Sequence, residues 1–208
     1  MRETRLRPHF LYVPQFHARR LPHYSTVGHP IFLTWRLAGS LPENRAFPGV
    51  TTSGKAFVIM DRLLDTTRTG PLHLRRPEFA EMVVDAICYL ENEGYFVLHA
   101  FVVMANHVHL LITPGVPVSK LMKSLKGFTA RLGNQMLDVS GQPFWQDESY
   151  DRWVRDAQEF ERIASYIENN PVTAGVCATP EEFLWSSAGR VENPPQVENL
   201  PHNHVVTS

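Results

Sequence analysis

Apolar and polar positions follow two rhythms along this chain. Ile31–Leu37, reading IFLTWRL, has the β-branched and aromatic content of a strand, and the turn-like Ala38-Gly39-Ser40-Leu41-Pro42 closes it. The period then lengthens. Phe57, Met60, Leu63 and Leu64 recur at helical intervals within Gly54–Thr66; Val83, Ile87 and Leu90 do so in a run that Pro77 opens and Gly94 ends. Phe96–Met104 and His107–Thr113 predict two antiparallel strands joined through an Ala105-Asn106 turn, with Pro114-Gly115 closing the hairpin. Leu121, Leu125, Phe128 and Leu132 share one face of a helix over Val118–Leu137. Phe144–Val154 mixes aromatic and charged residues and predicts a short strand or ordered loop. Phe160, Ile163, Ala164 and Ile167 mark a last helix over Asp156–Asn169, with Asp156 and Glu159 as a capping box and Pro171 as its stop.

Composition narrows the class. At 208 residues, 43% of them hydrophobic, the chain suits one soluble domain with extensions and a core of its own. No segment approaches the roughly 18 consecutive apolar residues of a membrane span. The start, MRETRLRPHFLYVP, shows no long apolar run or small-residue cleavage pattern, which argues against a secretory signal. Cys88 and Cys177 stand far apart with neither metal-type spacing nor a disulfide framework, so a reducing cytoplasm is the expected setting. A net charge of −1 counts against indiscriminate nucleic-acid coating while leaving room for local patches. One such patch is the arm 1–30, where Arg2, Arg5, Arg7, Arg19 and Arg20 face one acid, Glu3, among Tyr12, Phe16 and Tyr24. It reads either as a phosphate-binding arm with stacking aromatics or as a solvated terminus. A core over 31–189 follows, then a Pro- and Asn-rich tail over 190–208 that lacks periodicity and is expected to be flexible. The tail's His202 and His204 have no strand to orient them and are read as a decoy.

The chemistry concentrates in Val102–Thr113, VVMANHVHLLIT. His107 and His109 alternate with Val108 and Leu110, so in a strand both imidazoles share a face about 6.6 Å apart. They could converge on one ion. They could equally be satisfied structural residues, since two ligands do not make a metal site. Tyr166 and Asn170, four residues apart, share a face of the last helix. A boundary tyrosine and an asparagine ending a helix before Pro171 are also common, so the pair alone decides nothing.

Taken together, VVMANHVHLLIT, FWQDESYDRWVRD and SYIENNPVTAGV resemble the REP-associated tyrosine transposases, a branch of the single-tyrosine HUH transposases of bacterial single-stranded insertion sequences. The likeness spans about Ile31 to Ser187. It implies an α+β, ferredoxin-like fold, a central antiparallel β-sheet backed by α-helices with the histidine strand central. It also implies that His107 and His109 hold a divalent metal, Mg²⁺ or Mn²⁺, that Tyr166 is the nucleophile, and that Asn170 completes the metal shell. Asn170 stands where some relatives have glutamine, and its reach is shorter. The implied substrate is single-stranded DNA with a hairpin or repeat, handled by a monomer or a homodimer. Lys120, Lys123, Lys126, Arg131, Arg152 and Arg155 are the expected contacts to its backbone.

These roles make chemical sense. A phosphodiester repels nucleophiles, and a phenol with an ordinary pKa of about 10 is a weak one. A cation that polarises the phosphate and favours the phenolate meets both difficulties. Attack then yields a covalent 5′-phosphotyrosine and a free 3′-OH, so strands can be nicked and rejoined without ATP. Two other readings remain at this stage: a domesticated protein that grips repeat hairpins without cutting, and a metallohydrolase using activated water.

Overall fold

The computed structural model describes residues 27–41, 59, 61–65 and 70–190. The basic arm up to residue 26 and the histidines of the tail lie outside them. The described elements are strand β1 (Ile31–Leu37), a helical stretch α1 (61–65), helix α2 (Pro77–Asn92), strands β2 (Phe96–Val103) and β3 (His107–Pro114), helix α3 (Val118–Met136), strand β4 (Trp145–Trp153) and helix α4 (Ala157–Thr173). The strands form one antiparallel sheet in the order β2-β3-β1-β4. This is the α+β, ferredoxin-like arrangement, with the histidine strand β3 in the interior and an additional helix, α4, after the last strand.

Strand alternation divides the apolar residues between two faces. Leu33 and Trp35 of β1, Val108, Leu110 and Ile112 of β3, and Phe101 and Val103 of β2 pack with α2 and α3 through Phe79, Val83, Ile87, Leu121 and Leu125. The opposite face carries Phe32, Ala100, Val102 and Leu111, covered by Phe160, Ile163, Ala164 and Ile167 of α4. The stripe read from periodicity is therefore the face by which α4 sits on the sheet. Phe144–Val154 proves to contain an edge strand, whose register places Tyr150 opposite Thr34 and Arg152 opposite Phe32. Its entrance is anchored at α3. A Cβ on Gly133 would stand 2.4 Å from the Phe144 ring, so only glycine admits that ring.

Two expectations about α4 need correction. Asp156 does cap the helix, accepting from the Glu159 backbone N–H at 2.7 Å. Glu159 does not close the box, however, because its carboxylate turns to Arg155 and Arg152 instead. Nor does Pro171 stop the helix, which runs on to Thr173. A proline forfeits one backbone donor and disfavours helical geometry before it. Here the ring is buried, and bonds from Ala174 N–H to Asn170 O (2.9 Å) and from Val176 N–H to Pro171 O (2.9 Å) carry the chain through its last turn. Asn170 consequently stays in helical register with Tyr166.

Beyond α4 the chain returns to the sheet. Val103 N–H donates to Trp185 O (2.8 Å) and Ser187 N–H to Phe101 O (2.9 Å), so residues 185–187 line the outer edge of β2. An Arg190–Glu81 ion pair ties the segment to α2.

Candidate metal and tyrosine site

β3 projects His107 and His109 onto the α4 side, fully buried, with ring centroids 4.7 Å apart. Each ring is held by its inner nitrogen. Asn106 donates its amide N–H to Leu64 O (3.1 Å), which leaves its Oδ1 facing His107 Nδ1 at 2.7 Å. A carbonyl oxygen only accepts, so this network assigns the proton to Nδ1 and a lone pair to Nε2. His109 Nδ1 meets Thr34 Oγ1 at 2.8 Å, from the residue directly opposite on β1. Such outer contacts fix ring orientation in metal sites. Asn106, expected only to make a turn, thus joins α1, the hairpin and the first imidazole.

The Nε2 atoms converge on two acids that sequence reasoning did not single out. Asp61 Oδ1 lies 2.9 Å from His109 Nε2 and 3.7 Å from His107 Nε2; Asp65 Oδ1 lies 3.6 Å from His107 Nε2. Burial would raise the Asp61 carboxyl, but the imidazoles of His109 and His107, with a hydrogen bond from Asn170, leave it below its ordinary value. Burial and the charge of Asp61 push Asp65 up to about 7. Burial, then His109, pushes His107 down to about 3, so its ring is neutral near neutral pH.

This donor set fits a divalent cation. Donors sharing one ion at about 2.1 Å stand no more than about 4.2 Å apart, and the Asp61–imidazole separations of 2.9 and 3.7 Å meet that limit. His107 Nε2, Asp65 Oδ1 and Asn170 Oδ1 are buried without a hydrogen-bond partner, an arrangement that a shared cation would relieve. Among the described residues, Asp61, His107 and His109 form the cluster with metal-type spacing.

Tyr166 joins this group within the same chain. Its half-buried ring stands 5.6 Å from that of His109, tilted by 57°, and meets Phe32 edge-on at 6.2 Å. Asn170, one helical turn on, is 2% exposed, and its Oδ1 has no hydrogen-bond partner. The strand imidazoles, the helix phenol and the amide are therefore neighbours.

The expected DNA contacts divide. Lys120, Lys123 and Arg131 are exposed on α3, which covers the face of the sheet opposite the imidazoles. Lys120 leans over the Tyr95 ring and Arg131 over the Phe128 ring. Lys126 is committed to the fold, donating to Gln146 O (2.6 Å) and Asp147 O (2.9 Å). Arg152 lies on the imidazole face, and both it and Arg155 pair with buried Glu159. The Lys126 and Arg152 pairings depend on contacts between elements that a charge pattern does not reveal, whereas Arg155 and Glu159 stand only four residues apart.

Residues 73–170 match the family model described as "Transposase IS200 like". The matched span is just under half of the chain. The matched span contains both imidazoles, Tyr166 and Asn170; Asp61 and Asp65 lie upstream of it. Among solved structures, the chain is similar to a REP-associated tyrosine transposase bound to a REP hairpin, with a TM-score of 0.56 and 17% identity over 92% of this chain and 100% of that one. That likeness establishes the shared fold. A protein from Deinococcus radiodurans R1 assigned as a transposase is 19% identical over 73% of this chain and 98% of its own, with a TM-score of 0.40, too low to bear on the fold. No curated protein matches the chain. No helix among the described residues is long and apolar enough to cross a membrane.

Proposed function

We propose that this chain is a transposase-like, metal-dependent, single-stranded DNA endonuclease and transesterase that nicks and rejoins DNA beside a hairpin or repeat. One observation carries the reading: the Tyr166 ring stands 5.6 Å from a buried imidazole whose outer nitrogen belongs to a cluster with metal-type spacing. His107 and His109 supply the imidazole ligands. The third protein ligand lies between Asn170, as the resemblance implies, and Asp61. The cation, Mg²⁺ or Mn²⁺, would polarise the scissile phosphate and offset charge at the leaving oxygen.

The protein's own part is placement. Phe32 and His109 pack against the Tyr166 ring and limit its swing, so the hydroxyl meets the phosphate with little orientational freedom left to lose. Tyr166 Oη bonds to phosphorus and loses its proton; the P–O3′ bond breaks, and the 3′ oxygen takes up a proton as it leaves. The phosphotyrosine keeps the phosphoester, so a 3′-OH from another strand can reverse the exchange. The hairpin held by the structurally similar REP-associated tyrosine transposase supports a folded-back strand as substrate.

Incubation of the purified chain with hairpin-bearing single-stranded DNA and Mn²⁺, followed by a denaturing gel, tests the reading. A protein–DNA adduct is expected with the native chain and none with Tyr166→Phe. Cleavage that survives the substitution without an adduct would mark an ordinary hydrolase. A shift on native gels alone, across a panel of repeat hairpins, would mark a non-cleaving binder.

A further inference from the structure

The resemblance puts an amide from α4 third around the cation, yet in this fold a carboxylate from α1 also stands against both imidazoles. Asp61 and Asn170 are both buried, and the Oδ1 of each has no hydrogen-bond partner. Asp61 Oδ1 reaches both imidazoles, at 2.9 and 3.7 Å, whereas Asp65 Oδ1 approaches His107 alone, at 3.6 Å. We propose that Asp61 of α1 is a protein ligand of the cation beside His107 and His109.

Three features support this assignment. The lone pair of His107 Nε2 faces the Asp61 oxygen with no proton between them, because the ring's proton is committed to Asn106. Two such electron pairs repel unless a cation lies between them. Asp61 is also anionic where an amide is neutral. Two imidazoles and one carboxylate leave a dication with a single positive charge and offer it mixed nitrogen and oxygen donors, a set that suits Mn²⁺. Finally, α1 is tethered where the ligand must sit, since Leu64 O accepts from Asn106, the residue that also orients His107. Helix α1 and strand β3 thus form one ligand frame.

The inference rests on the metal-dependent reading above, and its test uses Mn²⁺ alone, without DNA. Mn²⁺ affinity of the full chain is measured by calorimetry and by the loss of the free-ion paramagnetic resonance signal. Asp61→Asn is expected to weaken binding by at least about 100-fold. Unchanged affinity in Asp61→Asn overturns the assignment. Hydrogen exchange on the native chain gives a readout that does not depend on how the variant folds. Mn²⁺ should slow exchange at residues 61–65, and unchanged exchange there also overturns the assignment. A native chain that folds and binds no Mn²⁺ would instead remove the metal-dependent function beneath it.

Discussion

The two faces of the sheet are buried alike and built for different ends. On β3, Val108, Leu110 and Ile112 point to α2 and α3, while His107 and His109 point to the α4 side, and all five are essentially inaccessible. One face closes over carbon. The other closes over nitrogen and oxygen atoms, several of which find no hydrogen-bond partner in the protein. Burial therefore does not separate core from site here. What separates them is how the unmet polar atoms gather: Trp35 Nε1 also lacks a hydrogen-bond partner on the α2–α3 face, whereas on the α4 side several such atoms face one another. An unmet polar atom costs about 1–3 kcal/mol and persists where a ligand or a reaction supplies the missing partner.

Substitutions on neighbouring residues of β3 should separate the faces most sharply. His109→Ala removes an imidazole ligand and is expected to reduce the protein–DNA adduct to background on a denaturing gel, with the sheet retained by circular dichroism. Persistence of the adduct would break the functional contrast. Leu110→Ala, one residue on, should lower stability by about 2–5 kcal/mol in urea unfolding. Adduct yield per folded molecule should stay unchanged.

A smaller effect distinguishes a satisfied polar cluster from the unmet one. Arg155, with help from Arg152, holds the Glu159 carboxyl down at about 2 against the opposing pull of burial. A depressed carboxyl stabilises the fold fully above its ordinary value of 4.5, and that contribution fades as pH falls toward about 2. Glu159→Gln should therefore lower the melting temperature at neutral pH and flatten its decline over that acid window. Parallel melting curves for the two proteins would show that the cluster adds no acid sensitivity. The smallest change is expected from Lys120→Ala with Lys123→Ala, on the face away from the imidazoles. DNA affinity should be nearly unchanged if the strand keeps to the site face; a drop in the salt slope of about 1 per residue would carry DNA around to α3.

The periodic elements were legible because each depends on local spacing. The apolar stripe of α4 and the alternation of β3 follow from residues two to four apart, and the same spacing placed His107 with His109 and Tyr166 with Asn170. Asp61 was not legible. It sits beside Met60 in a helical pattern that reads as an ordinary amphipathic face, and its imidazole partners come more than forty residues later through tertiary packing alone. Two acids a helical turn apart, flanking buried Leu64, were the available signal, one shared by many solvent-facing helices. The basic residues posed the opposite difficulty. Lys126, Arg152 and Arg155 looked available to phosphate until their protein acceptors came into view. Pro171 was a fair local stop signal, overridden by carbonyl contacts further along the turn.

The seam between residues 185–187 and β2 has a consequence for assembly. A helix is handed from one copy of a chain to another when the segments on either side of it can let go. Here α4 follows directly on an edge strand, and its outgoing segment is stitched by main-chain bonds to the far edge of the same sheet. Trading α4 between two molecules would mean unpicking that seam, together with the Arg190–Glu81 clasp, before any new contact could form.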